Sequence, residues 1–294
     1  MRQSQIPYPI DSKEKTVDYR GGNIVNILVI HSHNANRGDE AAVKAMVDEL
    51  LIKYPGATIT ISNNGFTPYP GMPENVIQID RFPKLESRIA QLEFFIVLLF
   101  KGKFALTKEA RKFIRALKEA DVVLHAPGGP SIGDTYFKAE KLYLWRLNLI
   151  RRMGIPYIFY APSMGPFNCA SRNKLRKEVI SGAERIVLRD PISVKYVKDF
   201  LPGVEVEQAL DSALQHDIDI DKNERKYNNY PELKNFIENH EKCIGITITD
   251  LKWHPVHKNE KIIEQIPTAF KAFITQKVKE GYGVIFIPQL YGNL

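Results

Sequence analysis

Four short loops hold most of the chain's chemically useful side chains. The first, His31-Ser-His-Asn-Ala-Asn-Arg-Gly-Asp-Glu-Ala41, joins Asn36, Arg37, Gly38 and Asp39 immediately ahead of a helix pattern. Gly38 permits a tight turn and close backbone approach, and the helix N-terminus behind it offers unpaired N–H groups. Asp39 and Glu40 already complement that dipole, so the loop is not a phosphate cradle of the Walker kind. The structural reading of the loop is that Asn36 or Asp39 caps the helix. Arg37 is placed to hold a phosphate or carboxylate. His31 and His33 stand at no recognisable metal-ligand spacing, and no metal is expected.

The second loop, Ala126-Pro-Gly-Gly-Pro-Ser-Ile-Gly-Asp134, follows a strand pattern directly. Gly128 and Gly129 expose backbone N–H groups to an oxygen-rich ligand, and Ser131 and Asp134 add side-chain polarity. It is not G-x-G-x-x-G, so a dinucleotide fingerprint is absent. The third, Tyr160-Ala-Pro-Ser-Met-Gly-Pro-Phe167, sets Ser163 in a stiff proline-flanked turn without the G-x-S-x-G context of a nucleophile elbow. In the fourth, Leu188-Arg-Asp-Pro-Ile-Ser193, Asp190 and Pro191 read as a helix cap and first turn. Arg189 is left either to bind an anion or lock the loops, or to pair with Asp190 or Asp211.

The elements that would position these loops alternate. A continuous apolar run at 24–30 reads as a strand buried on both faces. A helix from about 39 to 54 follows, with Val43, Val47, Leu50, Leu51 and Tyr54 on one face and Pro55-Gly56 as its stop. Further strands are expected at 58–62, 76–79, 121–125, 157–160, 185–188 and 204–208, and helices near 84–100, 107–119, 137–153, 171–182 and 191–200. This is the pattern of an α/β doubly wound parallel sheet, whose ligand crevice lies at the carboxyl ends of its strands. All four loops fall there.

The expected organisation is a polar N-terminal lead (1–22), a Rossmann-like domain (23–215), a linker (216–231) and the start of a second Rossmann-like domain (232–294). Two strands and two helices are few for a whole domain, so the second is read as incomplete, unless its short sheet is completed elsewhere.

Asn36-Arg-Gly-Asp-Glu-Ala41, Gly128-Gly-Pro-Ser131 with Asp134, Ser163-Met-Gly-Pro-Phe167, Leu188-Arg-Asp-Pro-Ile-Ser193 and Asp211-Ser-Ala213 occur in order and in register. Together they resemble the polysaccharide pyruvyl transferase family of bacterial cell-surface glycan synthesis, from about residue 24 onward. The resemblance implies a GT-B-like fold of two Rossmann-like domains, with phosphoenolpyruvate as donor substrate and a glycan or lipid-linked sugar as acceptor. It implies no cofactor. On that reading Asn36, Gly38 and Asp39 would orient the acceptor, with Asp39 the candidate base; Gly128, Gly129 and Ser131 would line the same pocket, Arg189 would hold it in place or contact an anion, and Ser163 is a further candidate substrate-binding residue. Relatives often carry an arginine just after the second domain's first strand, where this chain has Lys252, and Gln289 matches a family position near the cleft. The Arg–His motif that relatives carry late in the second domain has no counterpart before Leu294. A GT-B glycosyltransferase using a nucleotide sugar and a non-catalytic component of a glycan-assembly complex are the competing readings.

Composition narrows the classes. Over 294 residues the formal net charge is +7, with 44% hydrophobic and 26% charged residues, which suits a globular protein and argues against long disorder. Two cysteines cannot build a disulfide scaffold or a four-thiolate zinc site, and fit a reducing cytoplasmic setting. No apolar stretch is long enough to span a bilayer. The charge is concentrated: residues 81–118 hold ten basic and three acidic side chains, leaving thirty-one of each sign elsewhere. No nucleic-acid motif accompanies it. The segment surrounds the apolar run 92–100, which suits either a core helix with a basic neighbour or a helix lying in an anionic membrane surface. Nothing in the sequence fixes an oligomeric state.

Overall fold

The computed structural model describes residues 25–64, 67–83, 87–215, 218–248 and 260–288. The chain divides into two compact units, 1–216 and 217–294.

In the first unit seven parallel strands form one sheet. They are β1 (Asn26–Ser32), β2 (Thr58–Asn63), β3 (Val76–Asp80), β4 (Val122–His125), β6 (Tyr157–Tyr160), β8 (Arg185–Leu188) and β9 (Glu207–Gln208), in the order β3-β2-β1-β4-β6-β8-β9. The order runs outward in both directions from β1 and β4, so the topological switch point lies between those two strands. The helices are α1 (Arg37–Lys53), α2 (Arg88–Leu99), α3 (Lys108–Glu119), α4 (Phe137–Met153), α5 (Asn173–Ser181) and α6 (Pro191–Phe200). The α/β doubly wound expectation therefore holds.

Strand alternation explains why both faces are covered. Ile27 and Val29 of β1 pack with Val43, Met46 and Val47 of α1, whereas Leu28 and Ile30 join Phe113, Leu147 and Val179 from the helices on the other face. α1 begins at an Asn36 cap, and α4 ends at Gly154, whose φ of +75° supplies a left-handed cap.

Two segments expected as loops contain strands. β5 (Gly128–Ile132) and β7 (Pro162–Met164) pair in parallel as a separate two-stranded sheet. Their Gly, Pro and Ser content carries no strand propensity; each pairs only because the two crevice loops run side by side. The pair is tightened where a Cβ on Gly133 would lie 2.7 Å from the Gly165 backbone. A buried ion network fixes the same loops. Arg176 pairs with both Glu140 (2.7 Å) and Asp134 (2.7 Å), Arg172 pairs with Glu140 (3.0 Å), and Gly133 N–H donates to Glu140 (2.8 Å). Asp134, read from sequence as ligand-facing polarity, instead accepts from the backbone N–H groups of Asn168 (2.6 Å) and Cys169 (3.1 Å).

Two boundaries also differ. The stretch read as a linker holds a helix, α7 (Ile220–Asn228), capped by Asp219 and burying no residue. Only Glu207–Gln208 of the strand expected at 204–208 joins the sheet. The second unit adds α8 (Pro231–Glu238), β10 (Cys243–Ile246), α9 (Glu260–Lys279) and β11 (Gly283–Phe286), with β10 and β11 parallel neighbours. The N-terminal lead 1–22, Lys252 and Gln289 lie outside the described residues.

Candidate functional site at the switch point

The loops after β1 and β4 meet beside the switch point. Asn36 caps α1, its side-chain oxygen accepting from Gly38 N–H at 2.8 Å. A Cβ on Gly38 would approach that oxygen to 3.2 Å, so glycine suits the cap. Of the two capping candidates Asn36 is therefore the cap, and the Asp39 carboxylate is released from that duty. Arg37 points to solvent and pairs with Glu40 at 3.1 Å.

Asp39 is half-buried and accepts no hydrogen bond among the described residues. Burial raises its pKa from the ordinary 3.8 to about 6; Arg189 pulls it down and Asp211 pushes it up. Desolvation wins because no donor compensates the lost water. Gly128 makes the position possible: its φ is +137°, and a Cβ there would stand 2.9 Å from Asp39 Oδ1. Gly129 has an ordinary backbone, and a Cβ there would meet only Tyr136 at 3.9 Å. The Tyr136 phenol is raised by burial and by Asp39.

Arg189 links the far side. Its Nε donates to Ser163 Oγ (2.9 Å) and its Nη1 pairs with Asp211 (2.5 Å). Ser163 in turn donates to Asp190 Oδ2 at 2.8 Å. Asp190 caps α6 through Ser193 N–H (2.7 Å); burial raises its pKa, but hydrogen bonds from Ser193 and Ser163, with Arg189 beside it, leave it below the usual range. Ser193 Oγ closes the chain by accepting from Met164 N–H at 2.9 Å. Loop locking and the Asp211 pairing thus occur together at Arg189. Its Nη2 has no partner among the described residues. Asp211 is held nearby because Ser212 Oγ donates to the Ala42 carbonyl of α1 at 2.9 Å.

Ser131 contacts a residue that no sequence motif singles out. His125, buried at the end of β4, places Nδ1 2.8 Å from the Ala126 carbonyl and Nε2 2.7 Å from Ser131 Oγ. A carbonyl can only accept, so Nδ1 carries the proton and Nε2 accepts from the serine. Burial lowers the His125 pKa to about 4, so the ring is neutral at pH 7. His31 packs edge-on against it, with ring centroids 4.6 Å apart. His31 has φ +62° at the end of β1, and neither ring nitrogen finds a partner among the described residues. The one signal in sequence is position: His125 is the last residue of a strand whose following loop is glycine-rich.

The model of one family, polysaccharide pyruvyl transferase, matches residues 36–290. The chain belongs to the polysaccharide pyruvyl transferase family. The match begins at the residue that caps α1 and takes in every described site residue above except His31. A comparison with curated proteins finds no match. The family is one of transferases, and the geometry gives a transferase three things: a carboxylate of raised pKa, a guanidinium with an open edge and a histidine-anchored hydroxyl. Among the described residues, no group of three or more His, Cys, Asp or Glu side chains gathers as a metal site.

Proposed function

We propose that this polysaccharide pyruvyl transferase uses phosphoenolpyruvate as donor and two hydroxyls of one sugar as acceptor, forming a pyruvate ketal in exopolysaccharide or cell-surface glycan synthesis. The observation that carries the reading is Asp39, which accepts no hydrogen bond among the described residues and is poised near pKa 6 against Gly128. A general base works best when its pKa lies near the working pH.

Asp39 takes the proton of the first acceptor hydroxyl as that oxygen bonds to C2 of the donor; C3 takes a proton from solvent to become a methyl group, and Asp39 returns its own proton to solvent, so that proton count is unchanged. The C2–O bond to phosphate then breaks, with its electron pair leaving on phosphate. The second hydroxyl closes the ketal at C2, and its proton leaves with the phosphate at neutral pH. Asn36 Nδ2, whose companion oxygen is committed to the cap, donates to the acceptor. Ser131, held by His125, presents its oxygen lone pairs to a second acceptor hydroxyl. Arg189 offers Nη2 to an anionic group while its other edges hold Ser163 and Asp211. Lys252 and Gln289 are proposed as further substrate-binding residues on the family resemblance alone.

The test is release of inorganic phosphate from phosphoenolpyruvate in the presence of a sugar acceptor, by the wild type and by Asp39→Asn. Acceptor-dependent release that the substitution lowers by about 10²–10⁴ supports the reading. An undiminished rate removes Asp39 from the base role.

A further inference from the structure

The helix α2 is apolar nearly all round: nine of its twelve residues, Arg88–Leu99, are hydrophobic. Such a helix belongs in a core or against an apolar partner. Only one face is buried. Glu93, Phe94, Val97 and Leu98 point inward, and Phe94 stacks on Trp145 with centroids 6.0 Å apart. Glu93 fixes that orientation, since its buried carboxylate accepts from Leu106 N–H (2.6 Å), Thr107 N–H (2.7 Å) and the Thr107 hydroxyl (2.7 Å). Rolling the helix to hide its other face would take this carboxylate from the Leu106 and Thr107 N–H groups and leave those donors without their acceptor.

The opposite face is therefore held outward. Ile89, Leu92, Phe95 and Leu99 recur at helical spacing along it, and Phe100, Phe104 and Leu106 continue it through the turn into α3. Their exposure runs from 44% at Phe100 to 77% at Ile89. A contiguous apolar surface of this kind on a folded protein marks an interaction site. Arg88, Lys101, Lys103 and Lys108 lie among these residues, are exposed, and have no ion-pair partner among the described residues.

We infer that this face docks the protein on an anionic lipid surface. The combination of exposed Leu and Phe with interspersed Lys and Arg is that of a helix lying in the headgroup boundary. At 12 residues α2 is about 18 Å long, too short to cross the hydrocarbon core, and no described helix is long and apolar enough to do so. Charge decides against a second copy of the chain as occupant, because a two-fold contact through α2 would set the same unpaired cations against themselves.

The experiment is co-sedimentation of the full chain with vesicles of phosphatidylcholine alone or with phosphatidylglycerol added, at low and high salt. The expected result is binding to the phosphatidylglycerol vesicles that salt weakens, and little binding to phosphatidylcholine. Lys101→Gln with Lys103→Gln should lower the partition coefficient about 25-fold, about five-fold for each charge removed. Leu92→Ser with Phe95→Ser and Leu99→Ser should abolish binding while leaving the melting temperature near wild type, because all three side chains are exposed. The lysine variant keeps the test decisive if the apolar one fails to fold. Equal binding to both vesicle types, or phosphatidylglycerol binding unchanged by the lysine substitutions, overturns the inference. A solution dimer that the apolar substitutions dissociate would assign the face to a second copy and overturn it equally.

Discussion

Replacing Asp39 with asparagine should make the protein more stable and less active at once. The carboxylate sits where burial raises its pKa from 3.8 to about 6. At about 1.4 kcal/mol for each pKa unit, keeping it ionised costs the folded state up to about 3 kcal/mol at pH 7. Partial solvent access reduces this to about 2 kcal/mol. The sign follows from linkage: an acid whose folded pKa lies above its unfolded one favours folding when protonated, so stability is lost as pH rises from about 4 to about 6. The substituted amide never ionises and keeps the carboxylate's shape. Thermal unfolding should therefore show Asp39→Asn melting about 4–8 °C above wild type at pH 7, taking about 2–4 °C per kcal/mol for a unit of this size. At pH 4, where the folded-state carboxyl is protonated, the two curves should nearly coincide. A gain that persists undiminished at pH 4, or no gain at pH 7, would refute the claim that desolvation of Asp39 sets its pKa. The wild-type rate should rise with pH through about 6 as the base form is populated.

Three further outcomes follow from other parts of the structure. Glu140→Ala leaves Arg176 buried with Asp134 as its one remaining ion partner among the described residues, and should lower the urea-unfolding free energy by about 3–5 kcal/mol. Gly128→Ala forces a Cβ to within 2.9 Å of Asp39 Oδ1 at φ +137°, and should cost about 1–3 kcal/mol in the same assay while reducing phosphate release. His125, with its folded pKa near 4 against an ordinary 6.5, contributes stability that is fully present above pH 6.5 and is lost as pH falls toward 4. In an Asp39→Asn background, which removes the opposing titration, His125→Gln should flatten that acid decline, worth up to about 3 kcal/mol; an unchanged slope between pH 6.5 and 4 would contradict it.

The sheet is legible in the sequence because its strands are unusually plain. Tyr157–Tyr160 and Arg185–Leu188 are continuous four-residue strands at the positions their apolar runs indicate, and α4 and α6 likewise match, since Gly154 and Asp190-Pro191 punctuate them. Residues near the crevice can be picked out because strand ends are marked by Gly, Pro and charged residues. Periodicity cannot show β5 and β7, whose pairing is a tertiary event between two loops 30 residues apart. Nor can it tell Asn36 from Asp39 as the cap, because both have the right chemistry and only the backbone chooses. Asp134 looks like a ligand contact for the same reason: a carboxylate in a glycine-rich loop serves two backbone N–H groups as readily as a substrate. His125 escapes a sequence reading because a histidine closing an apolar strand carries no sign of what its ring will touch.

The most direct test of the account is mass spectrometry of a glycan acceptor incubated with the full chain and phosphoenolpyruvate. The account predicts an adduct of pyruvate less one water on a single sugar, formed with stoichiometric phosphate and nearly lost in Asp39→Asn. An unmodified acceptor under conditions where the protein remains folded, or transfer of a sugar from a nucleotide donor instead, would contradict it.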